Sequence, residues 1–186
     1  MRRRMQLAGA VALVVVLGVV GAAIAGGGGH KISERLTGYE ETPLTLSTPA
    51  TGEFKARISR FDDQIRWRLS YRGFESDVTQ AHIHFGARAT SGGVSVWLCG
   101  NPSPTVTPPA GTATCPLREG TVTGIAEADD VVGPATQGIA AMEFDELVDA
   151  LRAGATYANV HTVNRGAGEI RAQLEDDDDH GHRGRH

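Results

Sequence analysis

Ile65-Arg66-Trp67-Arg68-Leu69-Ser70-Tyr71-Arg72 alternates a large apolar side chain with a polar one at every step. Successive side chains of an extended strand point to opposite faces. The stretch is therefore a strand with Ile65, Trp67, Leu69 and Tyr71 on its core face and Arg66, Arg68, Ser70 and Arg72 on its wet face. The run before it repeats the pattern, with Phe54, Ala56 and Ile58 alternating with charged neighbours, and Asp62-Asp63 marks the turn between the two. Two antiparallel strands with one solvated face follow. An arginine row of this kind is in most sheets only the solvated face; a docking surface for an acidic partner is the other reading.

The same signal recurs along the chain. Leu36 to Pro43 predicts an edge strand closed by a proline turn. Val94, Val96 and Leu98 alternate with Ser95, Trp97 and Cys99, and Thr121 to Ile125 resembles another strand. Tyr157 to Thr162 and Gly168 to Leu174 follow, joined by the turn Asn164-Arg165-Gly166-Ala167; Ile170, Ala172 and Leu174 give the last one its apolar face. Before them residues 143 to 154 are the one clear helix. Phe144, Leu147, Val148 and Leu151 form a single apolar stripe, acidic residues open it, and Arg152 and Gly154 close it. The 24 glycines, the few aromatics (5%) and the Thr and Val content fit a β-rich, turn-rich domain. A length of 186 residues allows one such domain with extensions.

Both ends differ from this middle. Arg2-Arg3-Arg4, the uncharged apolar run Leu7 to Val20 and Ala23-Ile24-Ala25 have the order of a signal peptide over residues 1–25. The apolar stretch from Leu7 to Ala25 is also just long enough for an uncleaved membrane anchor, so both readings stand. Either way the domain is exported. Residues 26–31 are a Gly-rich linker, the domain runs over 32–174, and residues 175–186 are an acidic, His-rich tail whose composition predicts disorder. That tail is a solubilising terminus or a weak metal-gathering one. A net charge of -4, with no basic stripe interleaved with aromatics, gives no sign of a nucleic-acid partner.

The two cysteines, Cys99 and Cys115, bracket a segment with too much proline for regular structure. In an exported chain they predict a disulfide, worth about 3 kcal/mol through loop closure; a thiolate metal ligand is the lesser alternative.

Chemistry concentrates at three histidines. His82 and His84 of Ala81-His82-Ile83-His84-Phe85 share one strand face, about 6.6 Å apart, while Ala81, Ile83 and Phe85 take the core face. His161 shares a face with Tyr157 and Asn159 in the later strand. These are the only histidines in the strand-forming region, and together they form a candidate site for one divalent metal with an open fourth position. Imidazole suits copper and zinc, and the Irving–Williams order favours copper.

Leu36-x-Gly38-x-x-Glu41-x-Pro43, Ala81-His82-Ile83-His84, the helix running into Tyr157-Ala158-Asn159-Val160-His161-Thr162, and Gly168-Glu169-Ile170-Arg171-Ala172-Gln173 resemble, in this order, the CHRD (chordin-type) domain. Ala158 stands where that family more often has valine, and the Cys99–Cys115 loop looks like an insertion. The resemblance implies a mainly β fold, an extracellular antiparallel β-sandwich of immunoglobulin-like or superoxide-dismutase-like architecture with one short helix. It implies no established enzymatic activity. The His-x-His strand and later Val-His are also similar to copper–zinc superoxide dismutases, but no further histidine in the domain is placed to bridge a second metal. Three functions remain: a secreted or cell-surface metal-binding module; a non-catalytic domain that binds an extracellular protein and uses the histidines structurally; and a mononuclear copper redox enzyme. A membrane enters only through an uncleaved N-terminal segment.

Overall fold

A computed structural model describes residues 30–175. The expected signal peptide or anchor over 1–25, the glycines at 26–29 and the tail from 176 onward lie outside the described residues. Eight strands form, each where apolar and polar residues alternate: β1 (Lys31–Thr37), β2 (Thr51–Ile58), β3 (Ile65–Arg72), β4 (Val78–Phe85), β5 (Gly93–Gly100), β6 (Gly120–Ala126), β7 (Thr156–Thr162) and β8 (Ile170–Leu174). All pair antiparallel in one sheet ordered β5-β4-β7-β8-β1-β2-β3-β6. The sheet curls until its end strands approach: Val96 in β5 bridges Val131 just beyond β6, and the Val132 N–H donates to the Ser95 carbonyl. The mainly antiparallel β fold with one short helix is the one the alternation predicts, built as a single nearly closed sheet around one core.

One placement differs. The segment from Leu36 to Pro43 is not an edge strand: β1 lies inside the sheet, between β8 and β2. The strand ends at Thr37, and a 3-10 turn over Gly38–Glu40 turns the chain away before Pro43. The proline therefore never sits in a ladder where its missing N–H would cost a bond.

The core collects the apolar faces of all eight strands, with Leu36, Phe54, Ile58, Ile65, Leu69, Ile83, Leu98, Ile170 and Leu174 fully buried. Each such side chain contributes about 1.5–3 kcal/mol by leaving water. Helix α1 (Phe144–Arg152) adds the predicted stripe of Phe144, Leu147, Val148 and Leu151 to the same core. Its Arg152 reaches Asp62 in the β2–β3 turn at 2.7 Å, which docks the helix end there. Cys99 and Cys115 are joined in a disulfide. The proline loop between them is anchored at its root by Asn101, whose side-chain amide donates to the carbonyls of Val78 (2.8 Å) and Cys115 (3.1 Å) and accepts from the Cys115 N–H (3.2 Å).

Candidate metal centre

In a half-exposed sheet the face opposite the core is wet, yet on β4, β7 and β8 this second face is buried as well. It carries His82, His84, Tyr157, Asn159, His161, Arg171 and Gln173, all less than a tenth exposed. The segment after β1 and the loop after β4 lie across it. Glu41 accepts from the Asn159 amide at 2.5 Å, and Glu169 accepts from Thr48 at 2.8 Å. Arg171 donates to the carbonyls of Thr90 (2.8 Å) and Ala87 (3.2 Å), and Gln173 to that of Gly86 (3.0 Å). Polar groups withdrawn from water must find partners, and here backbone carbonyls of the covering loop supply most of them.

Strand register brings the three histidines together. His82 lies opposite Asn159 and His84 opposite Tyr157, so His161, opposite Gln80, is diagonal to His82. Diagonal neighbours across antiparallel strands are within reach of ring-sized side chains. His82 Nδ1 sits 3.2 Å from His161 Nε2, and one nitrogen from each of the three rings lies within 4.8 Å of the others.

The ring protons follow from the partners. His84 Nδ1 donates to the Gly92 carbonyl and His161 Nδ1 to the Gly166 carbonyl, both at 3.0 Å. Each then presents a bare Nε2 to the cluster. His82 Nδ1 donates to that of His161, which leaves the Nε2 atoms of His82 and His84 buried without a partner among the described residues. An unmet buried polar atom costs about 1–3 kcal/mol. Gly92 is required where it stands: a Cβ there would lie 1.7 Å from the Phe85 carbonyl oxygen, so a larger residue would displace the carbonyl that orients His84.

Charge is excluded from the cluster. Burial first, then the neighbouring imidazoles, push His82 far below the usual histidine range. Burial also lowers His84 and His161 to about 4 each, against the partial support of their carbonyl hydrogen bonds. All three rings are neutral near pH 7, the form in which imidazole ligates a metal. Metal–nitrogen bonds of about 2.0–2.1 Å place tetrahedral ligand atoms about 3.3 Å apart. The His82–His161 pair already has that separation, and the third nitrogen lies within 4.8 Å of both. Two Nδ1–H···O=C bonds behind bare Nε2 atoms are also the usual outer support of metal-ligating histidines. The cluster therefore has the donor set for one divalent ion.

Aromatic rings wall the cluster. Tyr157 stacks on His84 (4.7 Å between centroids, 3° between planes) and carries the Arg171 guanidinium 3.4 Å from its ring centroid. Trp97 meets His82 edge-on at 4.2 Å. One surface depression of about 270 Å³ is lined by Trp97 and by no histidine, so the indole stands between that recess and His82.

All three histidines singled out from the sequence are thus brought together. Function-bearing side chains that the spacing did not single out are those locking the layer: Glu41, Asn159, Glu169, Arg171 and Gln173. Burial raises the Glu41 carboxyl to about 7, although Arg171, Asn159 and the Thr42 N–H pull it down. A signal for these residues existed, since each lies in a stretch that carries the family likeness. Alternation alone places them on a wet face.

Fold and site together define an antiparallel β domain with a neutral three-imidazole cluster under a polar lid. The chain belongs to the CHRD domain family, whose model matches residues 32–174. Comparison with curated proteins and with solved structures returned no match.

Proposed function

We infer that this chain is an exported CHRD module that holds one divalent metal ion, copper or zinc, through His82, His84 and His161. The observation that carries this reading is the buried cluster in which one nitrogen of each ring lies within 4.8 Å of the others, with His84 Nε2 among them left without a partner among the described residues. A cation held by His82 Nδ1 and the Nε2 atoms of His84 and His161 satisfies the buried His84 nitrogen and offsets the cost of burying it. Export rests on the order of residues 1–25 and accords with the disulfide, a bond that persists in oxidising compartments.

The test is metal titration of the full chain with His180, His182 and His186 replaced by alanine, so that the tail cannot contribute. Copper is expected to bind one to one, to quench Trp97 fluorescence through the 4.2 Å contact with His82, and to raise the melting temperature by mass action. His82→Ala and His161→Ala should each remove most of the affinity. One observation favours a purely structural role within an extracellular protein-interaction domain: the His82–His161 hydrogen bond closes without an ion. On that reading the parent binds neither copper nor zinc above background.

A further inference from the structure

The wet faces of β1, β2, β3 and β6 form one continuous surface, and strand register fixes which side chains adjoin. Lys31 pairs with Arg57, Arg57 with Arg66 and Arg66 with Ile125, making one row across the four strands. In the next row Ser33, Lys55, Arg68 and Thr123 adjoin, then Arg35, Glu53, Ser70 and Thr121, then Thr37, Thr51 and Arg72. Seven cations thus occupy a patch about 10 Å across the strands and about 20 Å along them. All seven are exposed, and both lysines of the chain are among them. Of these seven only Lys55 is ion-paired among the described residues, with Glu53 at 2.8 Å. Glu53 and Glu119 are acids on and beside the face, and Glu127 follows Ile125 at its edge.

This arrangement opposes the stability of the sheet. Like charges directly opposite each other destabilise an antiparallel pair, by up to about 1 kcal/mol each. Lys31–Arg57, Arg57–Arg66 and Lys55–Arg68 are three such contacts. Nothing in the packing demands a cation at these exposed positions, and the chain as a whole is acidic, at -4. An external anion with several charges relieves all three repulsions at once.

The uncharged positions indicate which polyanion. A face that lies on a bilayer pairs its cations with apolar side chains that insert. Here the intervening residues are Ser33, Thr37, Thr51, Ser70, Thr121 and Thr123, and the apolar one is Ile125 at a corner. Five of the cations are arginines, whose planar forks match carboxylate oxygens. Around Gly52 the face dips into a depression of about 700 Å³ lined by Arg35, Arg72, Thr51, Ser70 and Thr121 together with Glu53 and Glu119; its arginines suit an acid group, and its hydroxyls and carboxylates suit the flanking sugar hydroxyls. We propose that this face binds a linear, carboxylate-bearing polysaccharide, a surface separate from the histidine cluster on the other side of the curled sheet.

Binding of the intact chain to polygalacturonate, measured by calorimetry at low and raised salt, tests the assignment. Methyl-esterified polygalacturonate serves as the uncharged control, and phosphatidylglycerol vesicles and duplex DNA as competing polyanions. The parent should bind the acid polymer, lose affinity as salt screens the contacts, and ignore the ester. Reversing three charges, Arg57→Glu with Arg66→Glu and Arg68→Glu, should cost about tenfold or more in affinity. The urea midpoint of this variant should stay at or above that of the parent, which separates lost binding from lost folding. Absence of binding to the acid polymer, equal binding of the ester, or an unaffected triple variant overturns the proposal. Tighter binding to the vesicles or to DNA also overturns it, by transferring the face to a lipid or nucleic-acid partner.

Discussion

The two outward faces of the sheet follow the same alternating pattern and meet opposite fates. On β1, β2 and β3 the non-core side chains Arg35, Lys55, Arg57, Arg66 and Arg68 stand in water. On β4, β7 and β8 the corresponding His82, His84, Asn159, His161, Arg171 and Gln173 are buried beneath loops. The difference lies in what crosses over each face. A polar residue under a loop needs a partner for each buried polar atom, so the covered face is a hydrogen-bond network in which the Nε2 atoms of His82 and His84 are the exceptions. A polar residue in water needs no match, so the bare face is free to accumulate one sign of charge.

The sharpest way to break this contrast is to delete the same residue type on each side. Arg171→Met removes two bonds to loop carbonyls and the cation above Tyr157, and should cost about 3 kcal/mol of unfolding free energy. Urea denaturation reads this directly, and a loss near zero would mean that the lid contributes little to stability.

A second effect, of intermediate size, is pH-dependent and belongs to the covered face. In chelator-treated protein the histidines have folded pKa values below their ordinary 6.5, about 4 for His84 and His161. Between these values the unfolded chain binds more protons, so their stabilisation is present above pH 6.5 and is lost as pH falls through 4. His161→Gln should flatten that acid limb in urea midpoints taken from pH 7 to pH 4, and an unchanged slope would place the acid sensitivity elsewhere.

Glu41 works in the opposite direction and sharpens the same contrast. Its folded value of about 7 lies above the ordinary 4.5, so its contribution is full below pH 4.5 and disappears as pH rises through 7. The stability of Glu41→Gln relative to the parent should therefore increase between pH 5 and pH 8. A constant difference would show that the carboxyl does not titrate in this window.

The smallest effect is predicted on the bare face. Arg68→Ala should change stability by no more than about 0.5 kcal/mol, because its side chain makes only a long 3.3 Å contact with Thr121. A loss as large as that of Arg171→Met would erase the distinction between the faces.

The sequence by itself determined which residues enter the apolar core, where the helix and every strand but the first lie, and which cysteines pair. Alternation of Ile65, Trp67, Leu69 and Tyr71, the stripe on α1, and two cysteines bracketing a proline-rich loop are local signals, and local chemistry suffices to read them. The histidines were legible as residues sharing strand faces, because period two places His82 beside His84 without reference to any other strand. Only the tertiary structure decided that β1 is interior, that His161 falls diagonal to His82, that Glu41 closes over Asn159, and that Lys31, Arg57 and Arg66 make one row. Each of these depends on which strands pair and in which register, a matter settled by partners far away in the chain. Alternation fixes the side of a strand on which a residue stands; packing of the distant segments decides whether that side meets water, a loop or another ring.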